Sequence, residues 1–309
     1  MKIFVAGATG VIGRRAVAGL IAAGFDVTGV VRRASARAEL VASGARPVEV
    51  NLFDHDSVVA AVAGHDAVVN LATAIPVGER ASDETAWTTN HRIREVVSHN
   101  LVDGAIAAGA SRHVQESIAF LYADGGDLVL DESWPVEPTS ITSSALTAEA
   151  EAARFAARGG AGVALRFGQF YGFDSAHSIE AIEAVLDGRP AELGPESAFR
   201  SSITTDDAAA AVVAALAVPS GVHNVVDEEP LSRADNVDAL ATALGVAPPA
   251  TRSLDLELPP AFSIMLRSQR VSNARFRAAS GWRPGPPSAR EGWSTIVAEW
   301  RAHRVVRAG

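Results

Sequence analysis

Three glycines near the amino end of the chain have the spacing of a dinucleotide-binding turn. Gly7, Gly10 and Gly13 separate a short apolar run from a stretch with helical spacing. In such a turn the first glycine allows a tight bend, the second lets the backbone approach a pyrophosphate, and the third lets helix and strand pack closely. The helix N-terminus offers N–H groups to the phosphates. We therefore expect a dinucleotide to be contacted here by Gly7, Thr9, Gly10, Val11, Ile12 and Gly13.

The end of the second predicted strand indicates which dinucleotide binds. NAD enzymes usually present Asp or Glu there, about twenty residues after the turn, to bind the ribose 2′-hydroxyl. Here Val31 is followed by Arg32 and Arg33, and no acid occurs before Glu39. Guanidinium groups match a 2′-phosphate in geometry and charge. The sequence predicts NADPH, with Arg32 as the main contact and Arg33 or Arg37 in support.

The residue types argue against several other chemistries. The chain has no cysteine, which excludes thiolate catalysis and disulfides. Its eight histidines are scattered, and no two of them have the i, i+4 spacing of helical metal ligands. No Gly-x-Ser-x-Gly elbow of a serine hydrolase is present. We predict no metal site.

Composition limits the partners and the compartment. The 309 residues include 48% hydrophobic and 20% charged residues, as expected for a globular protein with a sizeable core. The net charge of −9 argues against nucleic acid or an anionic membrane as partner. Charge or glycine interrupts the apolar runs before they reach the length of a membrane span. We expect a cytoplasmic protein with a small-molecule substrate.

Short apolar runs alternate with helical stretches, which indicates a parallel sheet covered on both faces. The fold class is α/β, a doubly wound parallel sheet of the NAD(P)-binding Rossmann type. The predicted strands cover residues 3–6, 26–31, 48–52, 67–72, 113–118, 162–167 and 223–226.

The later part of the chain changes character, because proline-rich segments follow Pro230 and we predict one helix there, over residues 235–244. This part is expected to form a smaller C-terminal substrate lobe over the carboxyl ends of the strands, where ligands bind in such sheets. The Rossmann domain is predicted to comprise residues 1–172 and 200–228, and the lobe residues 173–199 and 229–309.

Several motifs follow the predicted strands. They are Asn51-Leu52-Phe53-Asp54, Asn70-Leu71-Ala72-Thr73 with Asn90 beyond it, Glu116-Ser117, the run from Leu165 to Gly172, and Gly281-Trp282-Arg283-Pro284. With them, nearly the whole chain resembles the extended short-chain dehydrogenase/reductase superfamily, in its nucleotide-sugar epimerase and dehydratase branch. The resemblance implies a monomer or homodimer. It also implies adenine contacts from Asn51 and Leu52, cofactor contacts from Leu71, Ala72 and Thr73, and a position near the nicotinamide for Phe167, Gly168 and Gln169.

The chain departs from this superfamily at the catalytic residues. The resemblance implies a tyrosine and, four residues later, a lysine that lowers its pKa, but residues 139–147 contain neither, and Lys2 is the only lysine. The usual catalytic serine position holds Ile118, whereas Ser117 matches the preceding serine. Ser117 and Tyr122, which we expect at the mouth of the site, are the remaining candidates for hydrogen bonding to substrate.

These observations favour an NADPH-dependent ketoreductase acting on a small or polycyclic, polyketide-like metabolite, similar to atypical reductases of antibiotic pathways. The proton would come from water, from Ser117 or Tyr122, or from a phenol on the substrate. One alternative is a nucleotide-sugar epimerase or dehydratase, in which Arg267 and Arg270 would bind phosphate. The other is a non-catalytic NADPH-binding protein. An apolar pocket is expected from Phe120, Trp134, Phe167, Phe170, Phe173 and residues 259–262.

Overall fold

The computed structural model describes residues 1–249 and 258–308. The strands in the described part of the chain are β1 (Lys2–Ala6), β2 (Asp26–Val30), β3 (Arg46–Val48), β4 (Ala67–Asn70), β5 (Arg112–Ile118), β6 (Val129–Leu130), β7 (Ala161–Phe167), β8 (Gln169–Tyr171), β9 (Phe199–Arg200), β10 (Ser202–Thr204), β11 (Gly221–Val225), β12 (Leu231–Ser232) and β13 (Arg270–Val271).

Helices alternate with the strands over the first half of the chain and dominate the second half. The described α-helices are α1 (Val11–Ala22), α2 (Ala34–Ala42), α3 (His55–Val62), α4 (Thr88–Arg92), α5 (Ser98–Ala107), α6 (Ser144–Ala157), α7 (Ala176–Leu186), α8 (Thr205–Ala214), α9 (Arg233–Leu244), α10 (Ala274–Ser280) and α11 (Ala289–Ala308). A π-helical turn, Ile93–Val97, joins α4 to α5.

The main sheet has the order β11-β7-β5-β4-β1-β2-β3, and all of its neighbouring strands are parallel. Buried residues of α1 and α8 pack on one face, and those of α3 and α5 pack on the other. The predicted doubly wound α/β class is therefore confirmed. Chain order reverses between β1 and β4, and the carboxyl ends that flank this reversal are where such sheets bind ligands.

The third strand is shorter and earlier than predicted. It covers Arg46–Val48 instead of residues 48–52. The apolar residues that suggested a strand belong to the connection toward α3, in which Asp54 accepts a hydrogen bond from the backbone N–H of Ser57 as the N-cap. As an edge strand, β3 tolerates Pro47.

The C-terminal part contains more helix than predicted. Besides α9, which matches the predicted helix, the structure has α10 and the long helix α11. One face of α11 is buried against α9, in a cluster that also includes residues of α7, and its buried residues, Ala289, Trp293, Ile296, Val297 and Trp300, have helical spacing. The helical spacing of these apolar residues is visible in the sequence, but the charged residues and prolines around it made the helix hard to predict. No helix of the described residues is long and apolar enough to cross a membrane.

Ion pairs connect the helix that follows the glycine turn to the second half of the chain. Arg14 and Arg15, which follow the turn in α1, both contact the carboxylate of Asp174, and Arg15 also donates to Asp206 at the start of α8 at 2.6 Å. The Arg15 guanidinium lies 5.4 Å from the ring centroid of Phe173. These contacts fix the first helix relative to the loop after β8.

We predict that Gly162→Ala lowers the free energy of unfolding by about 2–3 kcal/mol, because the added methyl would be overpacked. A Cβ at this position of β7 would lie 1.9 Å from the carbonyl oxygen of Ala152 in α6, a backbone atom that cannot rotate away. The measurement is urea unfolding. Gly104→Ala in α5 is the control, since its Cβ would meet Val62 side-chain atoms at 3.1–3.2 Å and the backbone of Val59 at an ordinary 3.5 Å, and it should change stability by less than about 1 kcal/mol. Equal effects of the two substitutions would contradict this view of the α6–β7 contact.

Candidate cofactor and substrate site

The glycine turn after β1 has no room for side chains. Gly7 has φ = +77°, a left-handed conformation, and a Cβ there would lie 2.5 Å from the carbonyl carbon of Leu71. A Cβ on Gly13 would lie 1.9 Å from the carbonyl oxygen of Gly7. The backbones of the turn, the first helix and the loop after β4 therefore approach one another as closely as glycine alone permits.

The amino end of α1 is open for an anion. Gly10 is its N-cap and provides no side-chain hydrogen bond, and its first turn contains no acidic residue. The first N–H groups of a helix have no intrahelical partner and carry partial positive charge. A pyrophosphate fits both the open helix end and the backbone cradle formed by Gly7, Gly10 and Gly13.

Two arginines stand at the end of β2, on the adenosine side expected for a bound dinucleotide. Val31 is buried, whereas Arg32 and Arg33 are exposed and form no ion pair with another described residue. Arg37 is partly occupied, because its guanidinium lies 3.3 Å from Glu49. Arg32 and Arg33 thus keep their positive charge available for a ligand.

The loop after β4 is held by buried amides. Asn70 accepts a hydrogen bond from the backbone N–H of Ala72 at 3.1 Å and donates to Gln115 at 3.0 Å. Asn90 accepts from the backbone N–H of Ala74 at 3.0 Å. Leu71, Ala72 and Thr73 are thereby fixed beside Gly7, where a cofactor would lie. Sequence reasoning quoted Asn70 and Asn90 as motif residues but did not foresee this positioning role.

The loop predicted to contact adenine is held by hydrogen bonds as well. Asn51 accepts from the backbone N–H of Phe53 at 3.1 Å, and the Leu52 carbonyl accepts from Asn100 at 3.0 Å. The side-chain oxygen of Asn51 therefore stabilises its own turn. Contact of Asn51 and Leu52 with adenine stays a prediction.

The segment in which the resemblance implies the catalytic pair contains two buried apolar residues with the right spacing. Ile141 and Ala145 have the four-residue spacing of the superfamily's tyrosine and lysine, and both are fully buried. Ile141 belongs to an apolar cluster whose other members are Phe120, Trp87, Leu258, Ala261, Phe262, Ile264 and Met265. Ile118 is the last residue of β5 and precedes Phe120 by two residues in the sequence. No acid or base stands at these three positions.

Ser117 is engaged inside the protein. Its hydroxyl donates to Oε1 of Glu149 at 2.6 Å, and Arg166 donates to both carboxylate oxygens of Glu149 at 2.7 Å. All three side chains are buried. This network joins β5, α6 and β7, and it occupies the Ser117 proton.

Tyr122 lies in the core and not at the mouth of the site, so that expectation was wrong. Its ring is buried beside Leu130, Val226 and Val271, and its hydroxyl donates to Asn224 at 2.7 Å. Burial raises the pKa of the Tyr122 hydroxyl. Because burial depends on how the later chain folds back over the residue, the local sequence gave no signal of it.

The segment after β7 is placed by its backbone. A Cβ on Gly168 would lie 2.7 Å from the Ser201 carbonyl oxygen, and the Phe167 side chain is buried in the core against Phe170. The side chain of Gln169, by contrast, lines a cleft and accepts a hydrogen bond from Arg200 at 3.2 Å. The sequence alone gave no reason to single out Arg200, since nothing in the pattern marks a lone arginine.

The expected apolar pocket is only partly present. Phe120 and Phe262 do cluster at Ile141, but Trp134 packs beside Tyr122 and Phe173 packs within the lobe. Arg267 is not available to a phosphate, because it is buried and donates to the carbonyl oxygens of Tyr122 and Glu137. Arg270 lies 5.0 Å from the ring centroid of Phe199.

Asp227 is a buried carboxyl group just beyond β11. Ser202 donates a hydroxyl to its Oδ2 at 3.1 Å, while Oδ1 has no hydrogen-bond partner among the described residues. Burial raises the pKa of Asp227 well above the ordinary value, and the carboxylates of Asp207 and Glu291 act in the same direction. The folded protein therefore favours the neutral acid here.

Comparison with known proteins places these features in a family context. Residues 3–226 match the family described as NAD dependent epimerase/dehydratase. A 3-diazoavenalumate denitrifying reductase from Streptomyces sp is 34% identical over 307 residues, covering 94% of this chain and 99% of that protein.

Solved structures give the same picture. MoeE5 in complex with UDP-glucose and NAD is 25% identical with a TM-score of 0.80, covering 99% of this chain and 100% of that chain. UDP-glucose 4-epimerase of Thermus thermophilus, in complex with NAD, is 25% identical with a TM-score of 0.79, covering 97% of this chain and 99% of that chain.

We expect Arg32→Ala to weaken NADPH binding by about 10- to 100-fold, the range of a lost charge-assisted hydrogen bond, while NADH binding stays nearly constant. Calorimetric titration with both cofactors is the measurement. Arg46→Ala, which removes an exposed arginine paired with Asp26 on β3, serves as the control. Tighter binding of NADH than NADPH by the unsubstituted protein would contradict the assignment of Arg32.

Asp227→Asn should flatten the pH dependence of stability. Because the folded state holds the Asp227 proton at a pH where the unfolded chain releases it, stability falls as pH rises above the ordinary aspartate pKa of about 4. Asparagine removes this loss, so the variant should gain stability relative to the parent as pH increases from 4 to 8. Urea unfolding across this range is the measurement. Asp238→Asn, at an exposed position of α9, should leave the slope unchanged. A parental slope retained in Asp227→Asn would refute the assignment.

Proposed function

Because the chain belongs to the NAD dependent epimerase/dehydratase family, we propose that it is a reductase that uses NADPH and needs no proton donor from the protein. When bound, the nicotinamide supplies a hydride. The protein's own residues bind the cofactor, exclude water and orient the acceptor. The single observation that carries this proposal is a glycine turn shaped for a cofactor, in a chain that has apolar Ile118, Ile141 and Ala145 where the resemblance implies catalytic residues.

The cofactor half of the proposal is supported by the glycine turn and by the available arginines. A nicotinamide cofactor agrees with the family and with the bound NAD named in the structural relatives. The choice of NADPH is supported by Arg32 and Arg33 at the end of β2 and by the absence of an acid there. A 2′-phosphate would be complementary to that positive charge.

The proposal about the hydride acceptor is supported by the lack of an available proton donor among the predicted catalytic residues. Reduction of a ketone leaves an alkoxide that needs a proton, and the usual donor contributes about 10²–10⁴ in rate. Ser117 and Tyr122 hold their protons in internal hydrogen bonds to Glu149 and Asn224. A site of this kind suits an acceptor that needs no proton or carries its own.

The Streptomyces relative suggests such an acceptor. Its name describes a denitrifying reductase that acts on a diazo compound. For an aryl diazonium group, hydride attack on the ring carbon forms a C–H bond while the C–N bond breaks and N₂ leaves. The hydride's electron pair reduces the carbon, and no proton enters or leaves. We propose reductive loss of N₂ from an aryl diazonium group as the reaction class of the present chain. The sequence predicts a different acceptor, a ketone with a neighbouring phenol. One assay can examine both acceptors.

Epimerisation and dehydration are less well supported. Both require proton removal or return at the substrate, and the apolar residues at positions 118, 141 and 145 offer no group for it. Arg267, considered above as a phosphate ligand, is occupied by backbone carbonyls.

The decisive assay is incubation with NADPH deuterated at the transferred position and with two acceptors, a diazotised 3-aminocinnamate and an aromatic ketone with a neighbouring phenol. We expect NADPH oxidation with one deuterium on the carbon that held nitrogen. Tyr122→Phe should retain activity within about threefold, since loss of a true proton donor would cost far more.

Reactions without protein and with heat-denatured protein correct for direct reduction by NADPH. If NADPH binds but neither acceptor gains deuterium beyond these controls, the chain is a non-catalytic NADPH-binding protein and the reductase proposal is wrong. Deuterium in the ketone alone would identify a ketoreductase and reject the diazonium class.

A further inference from the structure

Residues 75–87 form a surface loop whose two ends are joined. The backbone N–H of Ala74 donates to Oδ1 of Asn90 at 3.0 Å, so the chain leaves and re-enters the fold at one point, the base of the loop. Between these residues lie two turns of 3₁₀-helix, Gly78–Ser82 and Glu84–Trp87. A compact surface loop of roughly 6–16 residues with adjacent ends is an Ω-loop, a type that is frequently functional.

The side-chain hydrogen bonds of the Ω-loop stay inside it. Ser82 donates to the carbonyl oxygen of Glu79 at 2.6 Å, and the indole N–H of Trp87 donates to the carbonyl oxygen of Ala81 at 3.2 Å. Within residues 1–249 and 258–308, no side chain of the loop forms a hydrogen bond or an ion pair with another part of the chain. The loop can therefore move about its base without breaking a side-chain hydrogen bond.

Trp87 attaches the Ω-loop to the body of the protein. Its half-buried ring packs against the apolar cluster of Ile141, which also contains Phe120 and Phe262. Because the indole N–H is bonded within the loop, the ring moves with the loop. Ile141 itself has no exposed surface, so no molecule can reach it unless one of the segments that cover it moves.

The other described segments that cover Ile141 are anchored to the fold. The 3₁₀-helical segment Pro260–Leu266 is bonded to α9, because the buried Arg233 donates to the carbonyl oxygen of Met265 at 2.7 Å. Phe120 follows the last residue of β5, a strand inside the main sheet, by only two positions. Of the described segments around Ile141, the Ω-loop is therefore the one whose side chains are held there by apolar contact.

We propose that the Ω-loop is a gate. Movement about its base withdraws Trp87 from the Ile141 cluster and opens this position to an aryl group, and the return of the ring excludes water from it. The aromatic rings of the cluster suit an aromatic occupant. The gate rests on the proposed function in taking Ile141 as part of the reductase site, whereas the movement itself requires no cofactor and no turnover.

The test is the labelling of an introduced thiol by N-phenylmaleimide, an aromatic reagent, followed by mass spectrometry. The chain has no cysteine, so Ile141→Cys provides a single, small apolar thiol under Trp87. Val163→Cys is the control, at a fully buried position of β7 in the cluster under α1 and α8. We expect the labelling rate of Ile141→Cys to change little with urea below the unfolding transition, since opening of a loop exposes little surface. The rate of Val163→Cys should rise steeply with urea, because global unfolding exposes it.

Substitution of Trp87 provides a second arm. In the Ile141→Cys protein, Trp87→Ala should raise the labelling rate at least about tenfold, and Trp87→Phe, which keeps an aromatic ring, should raise it less. Val77→Ala, at an exposed position of the same loop, should leave the rate unchanged.

The same urea dependence for both thiols would show that only global unfolding exposes Ile141, and it would overturn the gate. Equal labelling with and without a folded Trp87→Ala would overturn it as well. The urea comparison needs no change at Trp87, so it decides the question even where Trp87→Ala does not fold. Because no hydride transfer is measured, failure of the reductase assay leaves this test unaffected.

Discussion

The structure depends on the close approach of three backbone segments at the reversal point of the sheet. The turn at Gly7, the first turn of α1 at Gly13 and the loop at Leu71 meet at distances where a Cβ would lie 1.9 to 2.5 Å from main-chain atoms. This approach leaves the N-terminus of α1 open and aligned with the carboxyl ends of β1 and β4. The buried amides of Asn70 and Asn90 fix the facing loop, and Arg14 and Arg15 attach the helix to the lobe. The protein's own contacts therefore define the backbone of the predicted cofactor site.

Apolar residues, Ile118, Ile141 and Ala145, stand where the resemblance implies acid–base residues, and the buried carboxylates of Glu116 and Glu149 are paired with arginines. Glu149 is paired with Arg166 and Ser117, and Glu116 is paired with Arg94, all of them buried. Such pairs stabilise the fold only when both partners remain, so they are poor sources of mobile protons. Ile141 belongs to a buried apolar cluster, and the Arg200 guanidinium lies over the ring of one of its members, Phe120. Side chains of this kind offer no ready proton donor or acceptor, which agrees with the proposed reduction without a proton from the protein.

Local patterns predicted the parts of the molecule that depend on local interactions. The glycine turn, six of the sheet strands, the fold class and the family followed from spacing and motifs, and the structure and the comparisons confirm the fold class and the family. The sequence also showed that the tyrosine–lysine pair is absent, because Lys2 is the only lysine. The surroundings of residues that distant segments enclose could not be predicted in this way. Tyr122 was placed at the mouth but is covered by β11 and β13, and Arg267 was considered as a phosphate ligand but is enclosed by the segment around Glu137. Arg200 was not singled out, because the residues around it, Gln169, Glu192 and Phe120, are distant in sequence.

The most direct test of an active site without a protein proton donor is the pH dependence of the hydride-transfer step in single turnover. Enzyme saturated with NADPH would be mixed with the aryl diazonium acceptor in stopped flow between pH 6 and 8. The account predicts a rate constant that does not change with pH and is equal in H₂O and D₂O, since no proton moves in the step. A rate constant that follows the titration of a single group, together with a solvent isotope effect, would show that the protein does supply a proton and would contradict the account.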